Sequence, residues 1–317
     1  MTAAGVASGR ARGYATGLAA AAILASTSVV IRHLSLTYGL PALVMAFWRD
    51  LMVVATLVPV FAIWRRHLLR FPHGLAPFLV LHGLVLAVFN VMWTLSVTIN
   101  GAAAATVLVY CSAAFTVFLG RWLLGEPLGP AKLAATALCL GGCVLVSGAY
   151  HSEAWRANPV GIVAGVLSGL SYAGYSLMGR AVAGRGVNPW TALWCIFAFA
   201  TVFLFLFNLP PGGLLPGAAT RLSDLLWLGR SVPGWGELFL LSAGPTLVGF
   251  GLYMVTLGYL PSGVANLVVS LEPAFTAWYA FLFLGERLGA AQTGGGLLIL
   301  GGVALLRIRE IWRPGAA

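Results

Sequence analysis

Residues 105–146, ATVLVYCSAAFTVFLGRWLLGEPLGPAKLAATALCLGGCVLV, and residues 265–306, ANLVVSLEPAFTAWYAFLFLGERLGAAQTGGGLLILGGVALL, are one pattern written twice at a constant offset of 160. Ala114-Phe115-Thr116 recurs as Ala274-Phe275-Thr276, and Leu124-Gly125-Glu126 as Leu284-Gly285-Glu286. Leu128-Gly129 and Gly141-Gly142 return as Leu288-Gly289 and Gly301-Gly302. Each copy reads as helix, tight turn, helix. Duplication inside so apolar a chain is the plan of membrane proteins assembled from two related halves.

The 317 residues are 60% hydrophobic and 8% charged, with a mean hydropathy of +0.94. A soluble domain carries about a quarter charged residues, so this composition cannot cover a water-facing surface. The expected class is an all-α membrane protein whose surroundings are a lipid bilayer. The net charge of +10 does not point to nucleic acid, because Lys132 is the single lysine and most arginines stand at the ends of apolar runs. That distribution orients helices in a membrane. Cys111, Cys139, Cys143 and Cys195 all fall inside apolar runs, with no His or second Cys pair to complete a metal set. Arg10 and Arg12 precede an apolar stretch of about 18 residues, longer than a usual leader core, which reads as a first membrane helix.

A bilayer core of about 30 Å needs about 20 apolar residues per helix. Ten such runs are expected: 13–32, 41–64, 75–98, 102–123, 130–149, 159–181, 189–209, 236–259, 262–284 and 290–308. Pro41, Pro130, Pro159 and Pro189 mark starts, where a missing N–H is harmless. The expected organisation is a cytoplasmic tail over 1–12, a first five-helix repeat over 13–149, a linker over 150–158, a second repeat over 159–308 and a cytoplasmic tail over 309–317. The Pro- and Gly-rich connection 210–235 is the longest and the place where a surface helix would sit.

Ten crossings put both termini on one side. That side holds twelve of the Lys and Arg residues and the other five, with Arg49 alone inside a run. The positive-inside rule then makes both termini cytoplasmic and the long connection periplasmic. Gly13, Gly17, Ala21, Ala25 and Arg32 match Gly161, Gly165, Gly169, Ala173 and Arg180 at an offset of 148, so the repeat continues upstream. Small residues at every fourth position form a smooth stripe for close helix approach. Five helices per half is an odd number, so the second half is expected to run inverted.

Two five-helix halves, each ending in an LGE-x-LG turn, resemble the drug/metabolite transporter superfamily, in particular its EamA-type members. The resemblance rests on Leu124-Gly125-Glu126, Leu284-Gly285-Glu286, Glu272-Pro273, Arg49 and the paired glycines, and spans essentially the whole chain. It implies a multi-pass exporter of small metabolites, often amino acids, in the bacterial inner membrane, working by alternating access. YddG-type exporters of aromatic amino acids look similar within it. The first half departs from the pattern, carrying Ser112-Ala113 where the second has Glu272-Pro273.

Polar residues halfway along apolar runs are the candidates for binding cargo. They are His82, Asn90, Trp93, Tyr110, Ser112, Ser168, Ser171, Tyr172, Tyr175, Trp194, Tyr253, Asn266, Ser270 and Glu272. Such a set offers amide and hydroxyl partners with aromatic walls, suited to a zwitterion with an apolar side chain; the alternative is that these groups glue helices together. Glu272 is expected about 15 Å into its helix, near the midplane. It reads as a proton-binding or amine-recognising carboxylate, or as a structural acid.

Arg49 is expected within snorkelling reach of the outer interface, in a gating or structural role or as a carboxylate ligand. Asp50 points about 100° away, so the two are not expected simply to neutralise each other. Gly125, Glu126, Gly285 and Glu286 read as structural turns, each acid near the positive end of the next helix.

No phosphate loop, nucleophile elbow or zinc motif is visible. The chain is expected not to be an enzyme, to carry no cofactor or metal, and to act as a monomer or homodimer on a small-molecule substrate. Multidrug or nucleotide-sugar transport, an intramembrane enzyme and a non-transporting receptor remain the competing readings.

Overall fold

The structure, a computed structural model, describes residues 3–124, 129–147, 156, 158–209, 215–259 and 268–311. All regular structure among them is helical. The helices are α1 (Ala3–Tyr38), α2 (Ala42–Trp64), α3 (Ala76–Asn100), α4 (Ala102–Val109), α5 (Ser112–Leu124), α6 (Pro130–Ser147), α7 (Pro159–Ala183), α8 (Pro189–Phe207), α9 (Val232–Leu241), α10 (Gly249–Tyr259), α11 (Glu272–Leu284) and α12 (Ala290–Ile311). Among the described residues, six helical stretches are long and apolar enough to cross a membrane, beginning with Ala11–Tyr38 and ending with Pro189–Phe207.

The local sequence explains the boundaries. Asn188 caps α8 by accepting from the Trp190 N–H at 2.9 Å, with Pro189 in the first turn. Gly101, at φ +89°, alone separates α3 from α4. α1 is longer than the expected 13–32: nothing interrupts it before Gly39, so most of the expected 1–12 tail is helical. In the long connection, the surface helix is a short 3₁₀ turn at Leu222–Leu226.

Three runs that read as continuous are interrupted among the described residues, the ninth of them at Ser270–Leu271. The fourth breaks at Tyr110–Cys111 into α4 and α5. The eighth carries a π-helical segment, Ser242–Val248, between α9 and α10. Pro245 lies inside it and has no N–H for the Leu241 carbonyl, four residues earlier; the Thr246 hydroxyl donates to that carbonyl instead, at 3.0 Å.

Tight helix contacts run between the two halves of the sequence. α1 packs on α10 and α11, α7 on α3 and α5, and α6 on α12. A Cβ on Gly17 would lie 3.1 Å from both Thr256 and Val268, and one on Gly165 would lie 3.2 Å from Ser96 and 2.6 Å from Leu108. The offsets 148 and 160 convert the first set of residues into the second. α6 and α12 cross antiparallel. A Cβ on Gly142 would lie 2.5 Å from the Gly295 carbonyl, and one on Gly302 would lie 2.7 Å from the Ala135 carbonyl, again one contact carried into the other by the offset 160. Between them the Cys139 thiol meets the Ile299 carbonyl at 3.8 Å, a pair that the same offset maps onto itself. All four cysteines are buried and free.

Candidate functional site

Broken helices bring the first group of polar residues together. Tyr110–Cys111 and Ser270–Leu271 are both turns, and they are 160 residues apart. Glu272 is therefore not mid-helix as expected; it opens α11, in the first turn where the helix dipole favours an acid. Pro273 explains the second break, since its ring crowds the carbonyl four residues back and gives it no N–H. That carbonyl belongs to Val269, and the Tyr110 hydroxyl lies 3.3 Å from it and 3.0 Å from Glu272 Oε2. One phenol thus serves both the freed carbonyl and the carboxylate. Nothing in the sequence signals the first break, where Ala113 replaces the proline. What can be read in the sequence is only the repeat register that makes it equivalent to the second.

A second group lies where α2, α3 and α7 meet. Arg49 and Asp50 are both buried, and Arg49 Nε stands 3.5 Å from Asp50 Oδ1. They pair, contrary to expectation: a long arginine side chain folds sideways across the 100° between neighbours when no water competes. The arginine is 4% exposed and does not snorkel. Its guanidinium lies 5.5 Å over the ring of Trp93, while the Asn90 amide donates to Asp50 Oδ2 at 2.6 Å. Trp93 stacks on Phe89 at 6.1 Å, and Phe89 meets Tyr172 at 5.3 Å. Tyr172 and Tyr175 are 6.3 Å apart, and the His82 ring sits 4.8 Å from Tyr175 with Nε2 3.1 Å from its carbonyl. Asn90, Trp93, Tyr172, Tyr175 and His82 thus form one polar and aromatic band beside the ion pair.

The remaining expected residues are spread over several elements. Trp194 donates its indole N–H to the Leu68 carbonyl at 2.8 Å, beyond the C-terminal end of α2. The Ser168 hydroxyl bonds back to Gly165 within α7, and the Ser112 carbonyl accepts from Thr116. Ser171 and Tyr253 are half-buried on α7 and α10, and Ser270 is buried in the turn before α11. Asn266, Gly125 and Glu126 lie outside the described residues. Gly285 takes the left-handed conformation at φ +67° and ends α11.

Glu286 does not serve the helix that follows it, because α12 begins four residues later and is met by Gln292, which accepts from the Gly289 N–H. Its Oε2 instead accepts the Ala102 N–H of α4 at 2.9 Å. Its Oε1 pairs with Arg32 Nε at 3.2 Å, and Arg32 also donates to the Thr98 carbonyl. One acid thus ties α1, α3 and α4 to the α11–α12 turn.

A cavity of about 600 Å³ opens between the C-terminal half of α2, the start of α8 and the π-helical segment. Thr56, Leu57, Phe61, Trp190 and Leu247 line it, with Arg65 and His67 at its α2 end. Pro59 of α2 and Pro245 opposite are both within this stretch. Thr56 follows Arg49 by seven residues, two helical turns or about 10 Å along one face of α2. Among the described residues no three potential metal ligands cluster.

The profile of the EamA-like transporter family matches residues 11–148 and 159–308. An "Uncharacterized transporter" of Archaeoglobus fulgidus is 29% identical over 224 residues, covering 69% of this chain and 74% of that protein. The "Probable amino-acid metabolite efflux pump" of Escherichia coli (strain K12) is 25% identical over 220 residues, covering 67% and 69%. A solved crystal structure shares the fold at a TM-score of 0.60, covering 95% of this chain and 98% of its own, at 18% sequence identity.

Proposed function

The chain belongs to the EamA-like transporter family, whose members are multi-pass membrane transporters and not enzymes, and from that premise we propose that it exports small organic metabolites, amino acids with apolar or aromatic side chains above all. The single observation that carries the substrate class is the band in which a buried cation, acid and amide meet stacked aromatic rings on α2, α3 and α7. The name of the Escherichia coli relative is consistent with that chemistry. Nucleotide-sugar transport fits less well, since phosphates call for several cations and Arg49 is the one arginine within the band.

The transporter is ten-spanning in this reading, with halves 13–149 and 159–308 inverted relative to each other and both termini in the cytoplasm. The exchange of contacts under the offsets 148 and 160 supports it, as does an α6–α12 crossing that maps onto itself. The paired breaks at Tyr110–Cys111 and Ser270–Leu271 support it too, since discontinuous helices form the sites of many secondary transporters. Tyr110 and Glu272 form the coupling site, Glu272 carrying the proton. Alternating access follows from rocking one half against the other. Purified protein in liposomes tests the function: stereoselective flux of an apolar amino acid is expected, and no selective flux across an amino-acid panel rejects it.

A further inference from the structure

Arg49 has a property that helix packing does not account for. Its side chain is 5% exposed and that of Asp50 0%. Yet the enclosed Arg49 Nε has no close hydrogen-bond partner: Asp50 Oδ1 stands 3.5 Å away, and the guanidinium otherwise lies 5.5 Å over the Trp93 face. A guanidinium carries five N–H donors in a fork shaped for a carboxylate, and buried ones are ordinarily satisfied. Asp50 is half used as well: Oδ2 accepts from Asn90, while Oδ1 has only the loose contact to Arg49. The resting pair is thus an acid and a base standing side by side, each with unused bonding capacity.

We propose that Arg49 and Asp50 are the charge-recognising pair of the transport site, the guanidinium taking the carboxylate of a zwitterionic cargo and Asp50 its ammonium. The assignment rests on the function proposed above and deepens it. The pair is neutral overall, and a buried site resists any net charge. A lone carboxylate would leave the site at −1 and a lone amine at +1; a zwitterion leaves it neutral. One carbon separates the two charges of an α-amino acid, so both reach partners that stand next to each other. Asn90 holds Asp50 in place from the side away from Arg49, and Trp93 and Phe89 continue from the guanidinium as a wall for an apolar or aromatic side chain. The cavity begins at Thr56, two turns along α2, with Arg65 and His67 at its far end.

Two isosteric series in proteoliposomes at neutral pH test the assignment: L-phenylalanine, phenethylamine and 3-phenylpropanoate; and L-leucine, isoamylamine and 4-methylpentanoate. The wild-type protein is expected to carry at least one of the amino acids, with its amine and acid analogues slower by about tenfold or more, since a site built for a polar group rejects the analogue lacking it. Arg49→Gln strands a buried acid and can cost the fold, so the decisive variant is Arg49→Gln with Asp50→Asn, neutral again and checked for a monodisperse peak. In that variant the amino acid should lose its preference and run within about threefold of its analogues. If the analogues match the amino acid in wild type, or the double variant keeps the tenfold preference, the pair is structural and the assignment falls while amino-acid export stands. If neither amino acid is carried, both fall.

Discussion

At the scale of single residues, the chain concentrates its chemistry where a proline leaves the backbone one bond short. Pro273 frees the Val269 carbonyl, and Tyr110, reaching from the other half, covers it while touching Glu272. Tyr110→Phe should therefore cost about 1 kcal/mol, the net worth of one buried hydrogen bond, read as a lower thermal midpoint in detergent. It should also alter the pH profile of flux, because the carboxylate loses its phenol; an unchanged profile would leave Tyr110 as a structural brace. Glu272→Gln should abolish pH-driven flux with folding intact. Glu286 predicts a different pattern. Glu286→Ala removes the cap of α4 and a partly exposed pair with Arg32, about 1 kcal/mol for the cap and less for the pair, whereas Glu286→Gln keeps an acceptor for Ala102 and should recover most of the loss in the same thermal assay. Glu272 and Arg49 could be singled out from sequence because a charge inside an apolar run is costly wherever it lies. The partnership of Tyr110 with Val269, and of Glu286 with α4, could not, because each depends on how two segments more than 150 residues apart register in space.

At the scale of elements, prolines at helix starts and glycines at turns could be read directly, and the single residue Gly101 joins α3 to α4. Interruptions inside apolar runs were hidden. A turn at Tyr110–Cys111 or a π-segment around Pro245 leaves hydropathy unchanged, and apolar length is what defines a run. Paired glycines carry the sharpest prediction at this scale. A Cβ on Gly142 or Gly302 would come within 2.5 or 2.7 Å of a carbonyl of the opposing helix, while one on Gly141 or Gly301 would meet nothing within 4 Å. Gly142→Ala and Gly302→Ala should each force α6 and α12 apart at a cost of about 1–3 kcal/mol. The same change at Gly141 or Gly301 should fall within about 0.5 kcal/mol of wild type. Detergent melting curves of the four variants decide it, and equal effects within each pair would contradict the packing described.

At the scale of the whole molecule, the repeat seen in the sequence and the exchange of contacts in the structure express one physical idea. Two similar bundles that face opposite ways can enclose a site reachable from either side, because what closes one mouth has a counterpart at the other. The offsets between the halves were open to sequence reading because both halves keep Gly and Glu at the same turns. Which helices of one half lie on which of the other was not, since small-residue stripes state only that something packs closely. Everything proposed for transport depends on the inversion. It is tested most directly by placing single cysteines at two positions equivalent under the offset of 160, Pro127→Cys and Arg287→Cys, with the four native cysteines replaced, and labelling intact cells with a membrane-impermeant maleimide. The account predicts that the cysteine at 287 reacts and that at 127 reacts only after the membrane is opened; equal labelling of both from one side would contradict it.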